Sequence, residues 1–189
     1  PGAGFIGSDL SARSLDEGHE TWGIDHLGRK GSSDNLAWLQ EHYGDKLQFR
    51  QGDIGDQVFV EEVFREAGPF DRISHQAGQV AVTTSVANPA LDFRSNALGT
   101  FYLLEATRLL SPEAVFLFAS TNKVYGTADG KTVVEQASRY DFPEGDEGVV
   151  EDTPLDFHSP YGCSKGAADQ YVRDYALIYG LCTALFRQS

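Results

Sequence analysis

Thr121, Tyr161 and Lys165 are the residues whose types and spacing could do chemistry together. Tyr161 and Lys165 lie four positions apart, which on a helix places both side chains on one face. A phenol titrates near ~10, too high for a base at neutral pH. An ammonium a few ångströms away stabilises the phenolate and lowers that value. The pair could then take a proton from a substrate hydroxyl while a hydride leaves for an acceptor. Thr121 falls just past an apolar strand, where its hydroxyl could hold the substrate oxygen beside the phenol. Each residue alone has a plainer reading. Tyr-x-x-x-Lys is a common helix-surface pair, and Thr121 suits a turn or cap.

The other end of the chain suggests a hydride acceptor. Gly2-Ala3-Gly4-Phe5-Ile6-Gly7 offers backbone that can approach a pyrophosphate, with a helix N-terminus behind it. Pro1 stands where a G-x-x-G-x-x-G pattern has its first glycine. Asp25 ends a strand 21 residues after Gly4, where a carboxylate can accept from ribose hydroxyls and repel a 2′-phosphate. That favours NAD over NADP. Arg29 and Lys30, in the loop that begins at His26, pull the other way, because they could meet a 2′-phosphate. Asp53-Ile54 closes the next strand and could hold an adenine, although a helix-capping loop is equally open. Ala77-Gly78-Gln79 follows another strand, and small residues there permit close approach.

The intervening pattern must position these groups. Ile6, Leu10 and Leu15 suit a helix after the glycine turn. Strands are predicted at 20–25, 47–50, 72–75, 115–119 and 181–186, with helices at 35–42 and from Asp56 to about Glu66. Ala90 to Leu110 is the longest helical pattern, with Phe93, Ala97, Phe101 and Leu104 on one stripe. Thr127 to Phe157 is a polar excursion. Ser159-Pro160 supplies an N-cap and a first-turn proline for a helix running to about Tyr179. The alternation predicts an α/β fold with a doubly wound parallel sheet. A dinucleotide-binding unit needs a strand before its glycine turn, and none precedes Pro1. The chain also stops inside an apolar run at Phe186-Arg187-Gln188-Ser189 and contains no methionine, so we expect truncation at both ends.

Composition excludes several classes. A net charge of −13 disfavours nucleic acid and anionic membranes as partners. It does not disfavour a nucleotide held locally by backbone N–H groups. No apolar run is long enough to span a membrane, and no signal peptide is visible. Two cysteines, Cys163 and Cys182, give neither a disulfide framework nor metal spacing, so a reducing cytoplasmic setting and no metal are expected.

Taken jointly, these residues resemble the extended short-chain dehydrogenase/reductase family across essentially the whole chain. The matching strings are Gly2 to Ser8, Asp53-Ile54, His75 to Gly78, Asn96 with Gly99-Thr100, Ser120 to Gly126 and Ser159 to Lys165. Within the family the chain looks most like epimerases that invert C2 of CDP-linked sugars. Asn122 to Gly126, Leu155 to Pro160, Gly166 to Tyr171, and Gln79-Val80-Ala81 with Thr83-Thr84-Ser85 carry that closer match. The resemblance implies a Rossmann-type fold, tightly held NAD, a nucleotide-sugar substrate, oxidation to a C2 ketone and return of hydride to the opposite face. It assigns catalysis to Thr121, Tyr161 and Lys165, and substrate contacts to Thr84, Thr121 and Tyr161. Its NAD contacts are Gly4, Phe5, Ile6, Gly7, Asp25, His26, Arg29, Asp53, Ile54, Ala77, Gly78, Gln79, Asn96 and Lys165. It also implies a homo-oligomer, a role in polysaccharide synthesis, and a C-terminal substrate lobe that residues 1–189 lack, so this segment alone is expected to be inactive. A UDP-hexose 4-epimerase would use the same residues with the ketone at C4. A 4,6-dehydratase wants an acid pair just after the Thr, where this chain has Asn122 and Lys123. A non-catalytic dinucleotide sensor has no need of the base.

Overall fold

The computed structural model describes residues 2–127, 130–143 and 148–188; Pro1, Ser189 and parts of the polar excursion lie outside the described residues. Helix α1 (Phe5–Asp16) follows the glycine turn and leads to strand β1 (Thr21–Asp25). Helix α2 (Ser32–Tyr43) starts three residues before the predicted 35–42 stretch, and β2 (Leu47–Gln51) follows it. Asp56 caps α3 (Gln57–Ala67) as its sequence position predicts, accepting from the Val58 and Phe59 amides. Strand β3 (Arg72–His75) comes next.

The Ala90–Leu110 stretch is not one helix. A short α4 (Val82–Ala87), unpredicted because its β-branched residues carry low helix propensity, precedes α5 (Pro89–Phe93). A π turn at Arg94–Leu98 then joins α5 to α6 (Gly99–Leu110). The extra residue of that turn rotates the stripe: Ala97 and Leu104 are buried, while Phe93 is exposed. Strand β4 (Val115–Thr121) ends in a 3-10 turn at Asn122–Tyr125. The excursion holds a small antiparallel pair, β5 (Val134–Glu135) and β6 (Tyr140–Asp141), that no turn signal announced. The chain closes with α7 (Ser159–Tyr179) and β7 (Cys182–Gln188).

The strands form two parallel blocks, β1–β2 and β3–β4–β7. With helices wound between them, this is the doubly wound Rossmann-type α/β fold. No hydrogen bond joins β1 to β3 among the described residues; the backbone of Gly2 lies against β1, its N–H donating to Ile24 O at 2.8 Å. A shared core ties the blocks. Phe116, Phe118, Val60, Leu104 and Val172 pack at its centre, with Ile24 from β1 against them. The carboxyl ends of the strands carry Asp25, His75 and Thr121. Among the described residues no helix is long and apolar enough to cross a membrane.

Candidate active site

Helix α7 packs over β4 and the 3-10 turn. Its first turn carries local strain: Ser159 sits at φ 63°, left-handed for a non-glycine residue, and its hydroxyl accepts the Gly162 N–H at 3.2 Å. The helix starts one residue earlier than a Ser159 cap requires: His158 is the N-cap and caps with no side chain, while Ser159 is the first helical residue. Phe157 fills the space beside Gly166, where a Cβ would come within 2.5 Å of its ring. Tyr161 and Lys165 then fall on the buried face, as their four-residue spacing requires. Thr121, also buried, caps the 3-10 turn by accepting the Lys123 N–H at 3.3 Å. Among the described residues the Tyr161 hydroxyl has no hydrogen-bond partner, yet no buried side-chain polar atom is left unpaired. That hydroxyl is therefore reached by solvent rather than sealed in the core.

Lys165 donates to Ala119 O and sits 4.1 Å above the Phe118 ring. Burial lowers its pKa from 10.5 to about 8, against the pull of Asp169 and Asp92. Neither acid forms an ion pair with it, because both are otherwise engaged. Asp169 takes a two-pronged contact from Arg187 and a 2.6 Å bond from the Ser120 hydroxyl. Arg187 also donates to Tyr125 Oη at 2.7 Å, so strand end, helix and turn are locked together.

Asn96, on the π turn, is buried and fully used. Its Oδ1 accepts the Gln79 N–H at 2.9 Å, and its Nδ2 donates to Gln79 O, Asp92 Oδ1 and Ser164 Oγ. This pins the Ala77-Gly78-Gln79 turn. A Cβ on Gly78 would fall 2.8 Å from Asn96 Oδ1 and 4.0 Å from Lys165 Nζ, so the glycine lets the turn pack closely where three elements meet. Ala77 packs on the core, and the Gln79 side chain folds back on Ala81.

The glycine turn is organised separately. A Cβ on Gly2 would fall 2.9 Å from Gly23 Cα. Gly4 heads α1 with no side-chain cap and no acid in the first turn, which leaves those amides for a ligand. Gly7 is buried, while Phe5 is 90% exposed and Ile6 half so. The Asp25 carboxylate is buried and accepts the Ala3 N–H at 3.2 Å and the Leu27 N–H at 2.7 Å. It shapes the glycine turn directly, a use the sequence did not suggest. His26 and Arg29 are exposed beside it. Asp53 accepts the Gly55 N–H at 2.8 Å and pairs with Arg94 at 3.3 Å, and Ile54 is buried in the core. Thr84 is exposed on α4, which packs on α7.

The structure thus brings Thr121, Tyr161, Lys165, Gly78, Gln79 and Asn96 into one neighbourhood, with the glycine turn and Asp25 at the end of β1 and Thr84 on a neighbouring helix. Sequence reasoning missed Asp92, Ser164, Asp169, Arg187 and His75. His75 is buried and donates through Nε2 to Thr100 Oγ1 at 2.8 Å, since the Thr100 proton is committed to Asn96 O. Burial first, and Lys165 second, push its pKa well below the usual value, which keeps it neutral. A signal for Asp92 existed: it lies four residues before Asn96 within an apolar helical pattern.

The family model described as GDP-mannose 4,6 dehydratase matches residues 2–188. The chain belongs to that family. It is an extended short-chain dehydrogenase/reductase, as the motifs imply. It is 46% identical to a CDP-paratose 2-epimerase of Salmonella typhi, over the whole chain and 55% of that protein. The crystal structure of Thermus thermophilus UDP-glucose 4-epimerase in complex with NAD superposes with a TM-score of 0.77 at 35% identity, covering 98% of this chain and 52% of that one. A Streptomyces venezuelae dTDP-glucose 4,6-dehydratase double mutant with NAD bound gives 0.76 at 29% identity, covering 98% and 53%. The chain therefore spans about half the length of the relatives it matches.

Proposed function

We propose that this chain is the NAD-binding part of a nucleotide-sugar epimerase that inverts C2 of a CDP-linked sugar of the paratose type. The observation that carries the reading is the buried α7 face: an unpartnered Tyr161 hydroxyl one turn from a desolvated Lys165 ammonium, beside the close-packed Gly78 turn. The residues fit the cofactor. The amides at the α1 N-terminus would hold the pyrophosphate, Gly2 and Gly78 let their turns pack closely on β1 and on Asn96, and Lys165 would bond the nicotinamide ribose. When bound, NAD supplies the hydride acceptor.

The chain's own residues do the rest. Thr121 and Tyr161 hold the substrate hydroxyl. Tyr161 accepts its proton as the phenolate, and the Lys165 ammonium offsets the charge that develops there. The same proton returns when the ketone is reduced on its opposite face. Asn122 and Lys123 follow Thr121, so no acid pair is present there to eliminate water, which favours epimerisation over dehydration. The 46% identity to a CDP-paratose 2-epimerase supports C2. The match to UDP-glucose 4-epimerases keeps C4 as the rival. Incubating the intact protein with CDP- and UDP-linked sugars and identifying products by NMR decides between them. Inversion of UDP-hexoses at C4 without action on CDP-sugars would refute the C2 reading.

A further inference from the structure

The cleft contains a buried acid for which the chemistry above has no use. Asp92 is fully buried on α5. One carboxylate oxygen accepts from the Ser164 hydroxyl on α7, and the other from Asn96 Nδ2 on the π turn at 3.1 Å. Asn96 Nδ2 also donates to Ser164 Oγ at 3.0 Å, which closes a three-membered ring of polar groups. Asn96 in turn holds both backbone groups of Gln79. Ser164 adjoins Lys165 in the chain, and Gly78 packs beside Asn96 Oδ1 and Lys165 Nζ. A carboxylate without countercharge is costly in a core unless its bonds are structurally required.

We propose that Asp92 is the positioning residue of this site: its carboxylate clamps Ser164 to Asn96, and so fixes the Tyr161–Lys165 face of α7 against the Gly78–Gln79 turn. The inference rests on reading the cleft as an NAD site. Asp92 and Asn96, four residues apart, share the buried face of α5 and the π turn, which lets them meet one target on α7. The clamp also places a fixed negative charge near Lys165. The other groups that act with that lysine are Asp169 on α7, paired to Arg187 of β7, and His75 on β3; Tyr161 lies one turn before it on the same face. His75 stays neutral and Asp169 is shared with Arg187, so among the described residues Asp92 is the acid acting on Lys165 without a cationic partner of its own.

Asp92→Asn is nearly isosteric, removes the charge and weakens the clamp. In the intact protein we expect NAD affinity to fall about tenfold, the scale of one lost charged hydrogen bond. The Lys165 titration midpoint, followed by NMR on isotope-labelled lysine without cofactor, should move down from about 8. That midpoint reads the carboxylate's charge on Lys165; a merely structural role would lower stability without weakening NAD in a folded variant, so the NAD affinity reads the clamp. Ser164→Ala keeps the charge and cuts the clamp, so it should weaken NAD several-fold, and it serves if Asp92→Asn does not fold. Unchanged NAD affinity in a folded variant overturns the clamp, and an unchanged lysine midpoint in Asp92→Asn overturns the charge assigned to Asp92 at Lys165. A parent protein that binds no NAD overturns the reading of the cleft instead, and the lysine titration still tests Asp92.

Discussion

The two parallel blocks solve different problems with different materials. The β1–β2 block and α1 present absences: glycine where a Cβ would strike Gly23, an uncapped helix start, and an acid spent on backbone amides. The β3–β4–β7 block and α7 present buried side chains, namely Lys165, Asp169, Asp92, Asn96 and His75, each with named partners. Backbone donors can hold a phosphate whatever the sugar beyond it. Proton transfer needs particular side chains desolvated together. The difference teaches that binding and turnover should be separable by mutation along this seam.

The largest effect should come from the second block. Tyr161→Phe removes the phenol proposed to exchange the hydroxyl proton, so turnover should fall roughly 10²- to 10⁴-fold. NAD should still bind, since the glycine turn is untouched; a rate assay paired with cofactor titration checks both halves. Gly2→Val is the converse. A side chain there must displace the Gly23 backbone, and loss of NAD binding should carry turnover down with it. If the Gly2 variant bound NAD normally, the comparison would fail.

Asp25→Ala sits between the two. It frees the Ala3 and Leu27 amides and removes a negative charge four residues before the exposed Arg29. NAD should weaken, and discrimination against NADP should relax; titrating both cofactors reads this, and unchanged values would make Asp25 a turn residue only. The pH dependence follows from Lys165, lowered by burial to about 8 from 10.5. Activity should decline as pH rises through about 8, because the ammonium is lost. Stability should move the other way. Between about 8 and 10.5 the unfolded chain binds more protons than the native one, so this group's contribution rises with pH there. Parallel rate profiles and melting curves in parent and Lys165→Met would show it. The smallest effect is Asp56→Ala, which uncaps α3 and should cost about 1 kcal/mol without touching NAD affinity.

Much of this was legible in the sequence. The α7 start at Ser159-Pro160 and the four-residue Tyr161–Lys165 spacing are local signals, and they placed the face correctly. The Asp56 cap and the β3 bounds are local as well. What stayed hidden was non-local. Asp92 meets Ser164 across 72 positions, and Arg187 meets Tyr125 across 62. No periodicity reports such pairs. The π turn was invisible because an apolar stripe looks alike with or without one extra residue. Asp25 was legible as an acid at a strand end, but its bond to Ala3 depends on how the turn folds over β1.

The most direct test follows the hydrogen at the reacting carbon. A CDP-linked substrate carrying deuterium at C2 is turned over by the intact protein, and the product is examined by NMR and mass spectrometry. The account predicts inverted C2 with the deuterium retained there, a slower rate than with the unlabelled sugar, and loss of turnover in Tyr161→Phe. Exchange of the label into water, or inversion at C4 with C2 untouched, would contradict it.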